Sequence, residues 1–546
     1  MRPWTIVAAM QPSGLPTNPD FSSQVDAALA AGDVANAVRL SRQAVAAGER
    51  DPFLHNLMAW QMVEDGDPRG AELSLVQALA HSPGDPHLLT TLGLALRRQH
   101  RLSEALEVFD TAIAVAPGYA VAWLERGFAL HQGSSLNMAA NSYHRAIALD
   151  PGRSQALAGV AAIAAAQGEY ASARVFAGRA LAIDPGDAVA RCAVARCDIA
   201  EGAAAGAVAQ LRELLAEPAL NAENHSAAAS LLGDGLARIG ETAAAVVAYA
   251  DAKSKLAAQF PYLVALEGHR QLADRLDQHI VAAGPGPWPV VAAGETRRHA
   301  FLLGYQRSGT TLVETILAGI EGVAALEELP TLAASQAAFL KDADGLQRLD
   351  SADAATLEPF RRAYWQRVAD FGVGANAKLF LDMDPLKTLD LPLIARLFPA
   401  APIIVMRRDP RDVVLSCFSQ NFAASPVALA FTSLKDCARH YDAVMRLQAS
   451  CLARLPNPVL EIRYEELVND FDAVTRQLCD FLGLPWSEAL RDFSTAARGL
   501  DVNTASVGQV RKGLFDGGGQ WRQFEAEMAP ILPILAPWTE KFDYKS

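Results

Sequence analysis

Residues 300–318 read AFLLGYQRSGTTLVETILA: an apolar run, a polar turn, and a second apolar run. Ala300 to Gly304 predict a buried strand, and Leu312 to Ala318 predict a helix. The turn between them is Tyr305-Gln306-Arg307-Ser308-Gly309-Thr310-Thr311. A strand, a glycine-containing loop and a helix, in that order, aim backbone N–H groups and a helix N-terminus at an anion, most commonly a phosphate. Capping alone would explain a Ser or a Thr here. Arg, Ser, Gly and two Thr in one turn are more than capping needs.

The spacing from Gly304 is G-x4-G-T-T. A nucleotide triphosphatase loop carries Lys where Thr310 stands. In this chain Arg307 supplies the cation from inside the loop. A second unit of the same kind lies downstream. Pro402-Ile403-Ile404-Val405-Met406 reads as a strand, and Arg407-Arg408-Asp409-Pro410-Arg411-Asp412 follows before a helical run to Ser416. Leu379-Phe380-Leu381 and Val459-Leu460-Glu461-Ile462 add further strands. Strands alternating with helices predict an α/β domain with a central parallel sheet. Ligands bind at the carboxyl ends of such strands, and both cationic turns lie there. A charge run of this kind is usually a solvated face; its pairing with the first loop argues for a site.

Upstream, the chain repeats. Pro-Gly occurs at Pro83-Gly84, Pro117-Gly118, Pro151-Gly152 and Pro185-Gly186, each 34 residues after the last. Small residues recur with that period. Gly93, Ala105 and Ala112 flank Phe109; Gly127, Ala139 and Ala146 flank Tyr143, with Trp123 ahead. Small residues let antiparallel helices approach, large ones fill the next gap, and Pro stops the second helix. The pattern resembles the tetratricopeptide repeat. Four units fit over about 52–187, with weaker ones at 20–50 and 187–260. A stack of such units makes a groove suited to a peptide or protein segment. The expected organisation is an N-terminal extension over 1–19, an all-α repeat superhelix over 20–283, a Pro/Gly linker over 284–297, and the α/β domain over 298–546.

Composition bounds the rest. The 546 residues carry 48 Lys+Arg and 61 Asp+Glu, a formal charge of −13. An acidic chain makes a poor non-specific nucleic-acid binder, although a local basic pocket for a small anion is compatible with it. Six cysteines without CxxC spacing argue against a zinc site and for buried thiols in a reducing compartment. No apolar run reaches the ~20 residues of a membrane span. The N-terminal apolar run is too short for a signal-peptide core. The expected location is the cytoplasm.

The loop YQRSGTTL resembles the 5′-phosphosulfate loop of sulfotransferases, and RRDPRDVVLS resembles their 3′-phosphate motif. The tyrosylprotein sulfotransferase-like branch and the bacterial tetratricopeptide–sulfotransferase fusions look most similar, over about 298–540. The resemblance implies a P-loop-like fold, 3′-phosphoadenosine 5′-phosphosulfate (PAPS) as co-substrate, and no metal. It implies that Arg307, Ser308, Gly309, Thr310 and Thr311 hold the phosphosulfate, that Arg408 and Ser416 hold the 3′-phosphate, and that Tyr464 touches the nucleotide. Glu328, 21 residues after Arg307, takes the place of the catalytic base; Asp382 and Asp384 are other acids at a strand end. Ser506 matches a catalytic-site Ser, and Arg511-Lys512 a cofactor-binding basic segment. Two positions depart from the pattern. Met383 stands where a catalytic Lys is usual, and Gln520 where a basic residue precedes Trp521. Lys387, one helical turn on, is the candidate replacement for that cation. The implied function is sulfuryl transfer to a hydroxyl, with protein tyrosine as the leading acceptor and the repeats presenting an acceptor or partner. A P-loop kinase or hydrolase, and a non-enzymatic repeat scaffold with a decayed nucleotide domain, are the alternatives.

Overall fold

The computed structural model describes residues 19–546 apart from 134, 219, 259–266, 285, 292–297, 375–376, 423–424, 494–513, 515–516 and 545–546. The chain forms two compact units, Met1–Cys197 and Asp198–Ser546. Among the described residues, no helix is long and apolar enough to cross a membrane.

The first unit is a series of helical hairpins. Helices begin at Pro52, Pro86, Ala120 and Ser154, and their partners at Pro68, Leu102, Leu136 and Tyr170, so both series step by the 34 residues of the sequence period. Local chemistry fixes the starts. Asp51 and Asp85 accept from the N–H groups of Phe53 (2.9 Å) and His87 (2.9 Å), and Pro52 and Pro86 occupy first-turn positions where no N–H is needed. Ala105, Phe109, Ala112, Ala139, Tyr143 and Ala146 are all fully buried. The glycines matter through space. A Cβ on Gly127 would lie 2.5 Å from the Tyr143 ring, and one on Gly159 would lie 2.6 Å from its other edge. Tyr143 is therefore clasped between helices of successive hairpins, as Phe109 is against Gly93.

The second unit holds a five-stranded sheet in the order β2-β3-β1-β4-β5, every neighbouring pair parallel. The strands are β1 (His299–Leu303), β2 (Val323–Glu327), β3 (Leu379–Met383), β4 (Ile403–Arg407) and β5 (Val459–Arg463). All five positions of β1, β3 and β4 are buried, which explains their unbroken apolar reading. Asp382, inside β3, is the exception away from the strand ends, where His299 and Arg407 stand. Chain direction reverses about β1: the chain passes from β1 to β2 and β3 on one side, then crosses to β4 and β5 on the other. The switch point, where ligands bind in open α/β sheets, therefore lies at the carboxyl ends of β1 and β4.

The boundary expected at 284–297 needs correction. The helices Ala222–Arg238, Thr242–Ala258 and His269–Ala282 cluster with the sheet. Ala273, Leu276 and Ile280 share one core with Phe301 and Val405. Arg446 pairs with Asp274 at 2.8 Å and Asp277 at 3.3 Å, and Ser450 donates to Asp277 at 2.7 Å. The Pro/Gly stretch is also tied down. Trp288 is 2% exposed and donates to Asp350 at 3.2 Å, and Arg396 donates to the Pro289 carbonyl.

The clasp in the first unit is testable. Tyr143→Ala should destabilise that unit by about 3–5 kcal/mol, and Gly127→Val by about 1–3 kcal/mol through overpacking. Both should appear as a lower urea midpoint in circular dichroism. An unchanged midpoint for Gly127→Val would show that the helices are not held this closely.

Candidate active site

The β1 loop closes on itself. The Ser308 N–H and Oγ–H both donate to the Tyr305 carbonyl, at 3.1 and 2.6 Å. Arg307 (φ 67°) and Gly309 (φ 101°) have left-handed backbones, so successive peptides are turned inward ahead of the Thr310–Ala318 helix. Two glycines are required by space as well. A Cβ on Gly304 would lie 2.6 Å from Ser308 Oγ, and one on Gly309 would lie 2.6 Å from the Tyr464 ring. Ser308, Thr310 and Thr311 are buried.

The second loop sorts its three arginines. Arg407 is held by Glu461 (2.7 Å), by Gln448 and by the Phe542 ring. Arg411 folds back on Asp409 with two bonds of 2.9 and 2.7 Å and stacks on Trp521. Arg408 alone turns to the first loop. It donates to the Arg307 carbonyl at 2.9 Å and the Gly517 carbonyl at 2.8 Å, and lies over the Tyr464 ring. Its Nε is buried with no hydrogen-bond partner among the described residues. Arg307 Nε in turn donates to Ser416 Oγ at 3.0 Å. Arg307, Gly309, Arg408, Ser416 and Tyr464 are thus brought together at the switch point. Burial, and then the charge of Arg408, lower the Arg307 pKa. Two crowded guanidinium groups, one with an orphaned N–H, and a cradle that a Cβ would fill are what a polyanionic nucleotide fits.

Asp412 and Gly517–Gly519 belong to this site; in the sequence Asp412 was given no role and the glycines were not singled out. Asp412 accepts from the N–H groups of Gly519 (2.7 Å) and Trp521 (2.9 Å), so the C-terminal region is fastened to the Arg408 loop. The run Gly517-Gly518-Gly519 before Trp521 was the available signal. Ser506, Arg511 and Lys512 lie outside the described residues.

The ends of β2 and β3 form an acidic side. Glu328 follows β2, with φ 50° and its N–H donating to the Met383 carbonyl at 2.8 Å. It keeps solvent contact. Crowding by the surrounding protein, and then the charges of Asp384 and Glu327, push its pKa up to about 7, against Lys387 and Arg307. Burial raises Asp384 to about 6. Met383 is fully buried in an apolar cluster with Leu302 and Leu381. Lys387 does not bring its ammonium to the Arg307 loop. Its Nζ donates to Asp382 and, at 3.0 Å, to the Leu329 carbonyl; Asp382 also accepts from Thr331 (2.8 Å) and Tyr364 (2.9 Å). The pair is buried, with side chains 2% and 0% exposed. The 3-10 turn Pro385–Asp390 directs Lys387 inward, in place of the back-reach to the strand end that an α-helical turn would allow.

Breaking this pair from one side strands a buried charge. Lys387→Met should cost about 3–5 kcal/mol, read as a lower thermal midpoint of the Asp198–Ser546 unit. The double change Lys387→Met with Asp382→Leu should recover part of that loss. No recovery would mean that the ion pair is not what Lys387 supplies.

The profile of the sulfotransferase family matches residues 300–488, and a tetratricopeptide repeat profile matches 62–126. Protein-tyrosine sulfotransferase 1 of Danio rerio is 29% identical over 253 residues, 43% of this chain and 70% of its own. Protein-tyrosine sulfotransferase A of Caenorhabditis elegans is 26% identical over 213 residues, 38% of this chain and 55% of its own. An uncharacterised protein of Aquifex aeolicus is 28% identical over 258 residues, 45% of this chain and 33% of its own. The matches thus span from a third to about two thirds of these relatives' lengths. Both loops, Glu328 and all of β1 through β5 except His299 fall inside the matched segment. The sulfotransferase-family match thus takes in residues 300–488, on a chain that also matches the tetratricopeptide repeat.

Proposed function

We propose that the chain is a sulfotransferase that moves the sulfuryl group of PAPS to a hydroxyl acceptor, protein tyrosine being the leading candidate. The observation that carries this reading is the convergence of Arg307, Arg408, Ser416 and Tyr464 on one crevice at the switch point. PAPS, when bound, supplies the sulfuryl group on a good leaving phosphate. The loop Arg307–Thr311 holds the 5′-phosphosulfate with backbone N–H groups, hydroxyls and the Arg307 guanidinium. Arg408 holds the 3′-phosphate, with Ser416 beside it; the buried Arg408 Nε is the donor such an anion would complete. Tyr464, packed on Gly309, offers a ring to the nucleotide. Glu328 takes the acceptor proton as the new S–O bond forms, and the bridging S–O bond breaks toward the 5′-phosphate. Ser506 and the Arg511-Lys512 segment are proposed to complete the site. Lys387 acts through Asp382, holding β3 and Leu329 against Glu328.

Tyrosine is supported by the names of the relatives, and the repeats support a protein or peptide partner. All six cysteines are buried, which supports thiols kept in a reducing compartment such as the cytoplasm. The kinase or hydrolase reading is disfavoured by Thr310 at the P-loop Lys position.

A base near 7 must be ionised to act, so kcat/KM should rise with pH through about 7 and level off above it. Glu328→Gln should cut transfer from labelled PAPS by about 10²-fold or more and remove that rise, with nucleotide affinity nearly intact. Unchanged turnover would remove Glu328 from the mechanism.

Arg408→Ala should weaken adenosine 3′,5′-bisphosphate binding by about 1.5–3 kcal/mol. Adenosine 5′-phosphosulfate, which lacks the 3′-phosphate, should bind almost as before in a titration. Equal losses for the two ligands would contradict the assignment.

A further inference from the structure

Tyr305 opens the β1 loop, and its carbonyl accepts the two bonds that close the Arg307–Gly309 turn. Its side chain leads elsewhere. The phenol, 5% exposed with its residue, is hydrogen-bonded to His440 Nδ1, and His440 Nε2 lies 2.8 Å from His269 Nδ1. His440 is 1% exposed on the Leu434–Leu452 helix, with Phe431 edge-on against its ring. His269 is the first residue of the His269–Ala282 helix. One proton assignment satisfies the whole line. Tyr305 O–H donates to His440 Nδ1, and His440 Nε2–H donates to His269 Nδ1. Burial lowers His269 to about 4 and His440 well below its ordinary value, so the line is neutral around pH 7.

A phenylalanine at 305 would fill the same space with no partner needed. Tyr305 and His440 are buried and His269 is part-buried, and buried polar groups are stable only when satisfied, so the line fixes where the Tyr305 ring sits. The ring is covalently continuous with the peptide on which the loop closes. That loop contains two left-handed residues, so an outside anchor has leverage on it.

We propose that His269 and His440 are positioning residues for the sulfate-donor loop, acting through Tyr305 to hold Arg307, Ser308 and Gly309 in the geometry that receives a 5′-phosphate. This rests on reading the crevice as a PAPS site. It extends the functional machinery to a helix that lies ahead of the family-matched segment.

The test is calorimetric titration of the full chain with two ligands. Adenosine 3′,5′-bisphosphate engages both loops; adenosine 3′-monophosphate engages only the Arg408 side. Losing one neutral hydrogen bond is worth up to about tenfold. His269→Leu should therefore weaken the bisphosphate by about fivefold to tenfold and leave the monophosphate within about twofold. His269→Asn, whose Oδ1 replaces Nδ1 as acceptor, should restore most of the loss. Tyr305→Phe should reproduce the selective loss from the other end of the line. Wild-type affinity for both ligands in His269→Leu and Tyr305→Phe would overturn the proposal. So would equal losses for the two ligands, which a general loosening of the fold would produce. Failure of the unaltered protein to bind the bisphosphate would instead overturn the nucleotide reading beneath it.

Discussion

Arg307 and Arg408 bring like charges into one crevice, and each is held by the other's loop. Arg408 donates to the Arg307 carbonyl, and Arg307 donates to Ser416 on the helix that Arg408 precedes. Crowding two guanidinium groups is unfavourable unless an anion neutralises both. Much of the surrounding architecture makes that crowding tolerable. The strand order sets β1 beside β4, so the loops meet. Glu461 and Asp409 engage Arg407 and Arg411, so the cations that do not face the crevice are already paired. Gly304 and Gly309 let Ser308 and Tyr464 approach the loop more closely than any side chain would allow.

Across the sheet the sign reverses. Glu328, Asp384 and Asp390 all have raised pKa values, each by burial first, and carboxylate neighbours add to the shift in every case. Glu314, on the helix that begins at the donor loop, is raised as well by burial and by Glu327, Glu328 and Asp382. In-line transfer between two oxygens needs a cationic pole around the leaving phosphate and a proton acceptor on the opposite side. Under the proposed reading, the β1/β4 ends supply the first and the β2/β3 ends supply the second. The buried Lys387–Asp382 pair lies under the acidic side. Of Glu327, Glu328, Asp382 and Asp384, Glu328 is the most exposed, and its pKa of about 7 suits the role of base proposed for it.

The repeat period, the two anion loops and four of the five strands were legible because each rests on a short-range rule. Pro-Gly spacing, apolar runs and the chemistry of a turn act within a few residues. Strand β2, Val323-Ala324-Ala325-Leu326-Glu327, escaped notice because two alanines and a terminal Glu carry little strand signal. Its half-exposed edge position needs none of the unbroken apolar pattern of β1, β3 and β4. The grouping of Glu328 with Arg307 was readable only through resemblance, since no local rule measures distance across strands. Lys387 shows the opposite limit. Spacing alone placed it one turn beyond Met383, but a buried carboxylate at Asp382 outweighs that geometry. The lone Asp in an apolar central strand was the warning, because a buried charge needs a partner nearby.

The domain boundary was misread for a related reason. A Pro- and Gly-rich stretch reports that regular structure stops; it does not report which cores the flanking elements share. Trp288 and Pro289 interrupt the helix and yet are packed and hydrogen-bonded. The helices before them are joined to the α/β core by groups far apart in sequence. Lys253 donates at 2.7 Å to the carbonyl of Gln420, at the C-terminal end of the Pro410–Ser419 helix, where a cation is favoured by the helix dipole. Burial lowers its pKa to about 8, so the contact retains most of its charge at neutral pH. The Tyr249 ring meets Phe418 on the same helix edge-on at 5.9 Å. Arg408 precedes that helix and its last turns carry Ser416, so a support at its C-terminal end bears directly on the proposed anion site. Residues 222–282 are therefore better understood as part of the α/β unit than as the end of the repeat array.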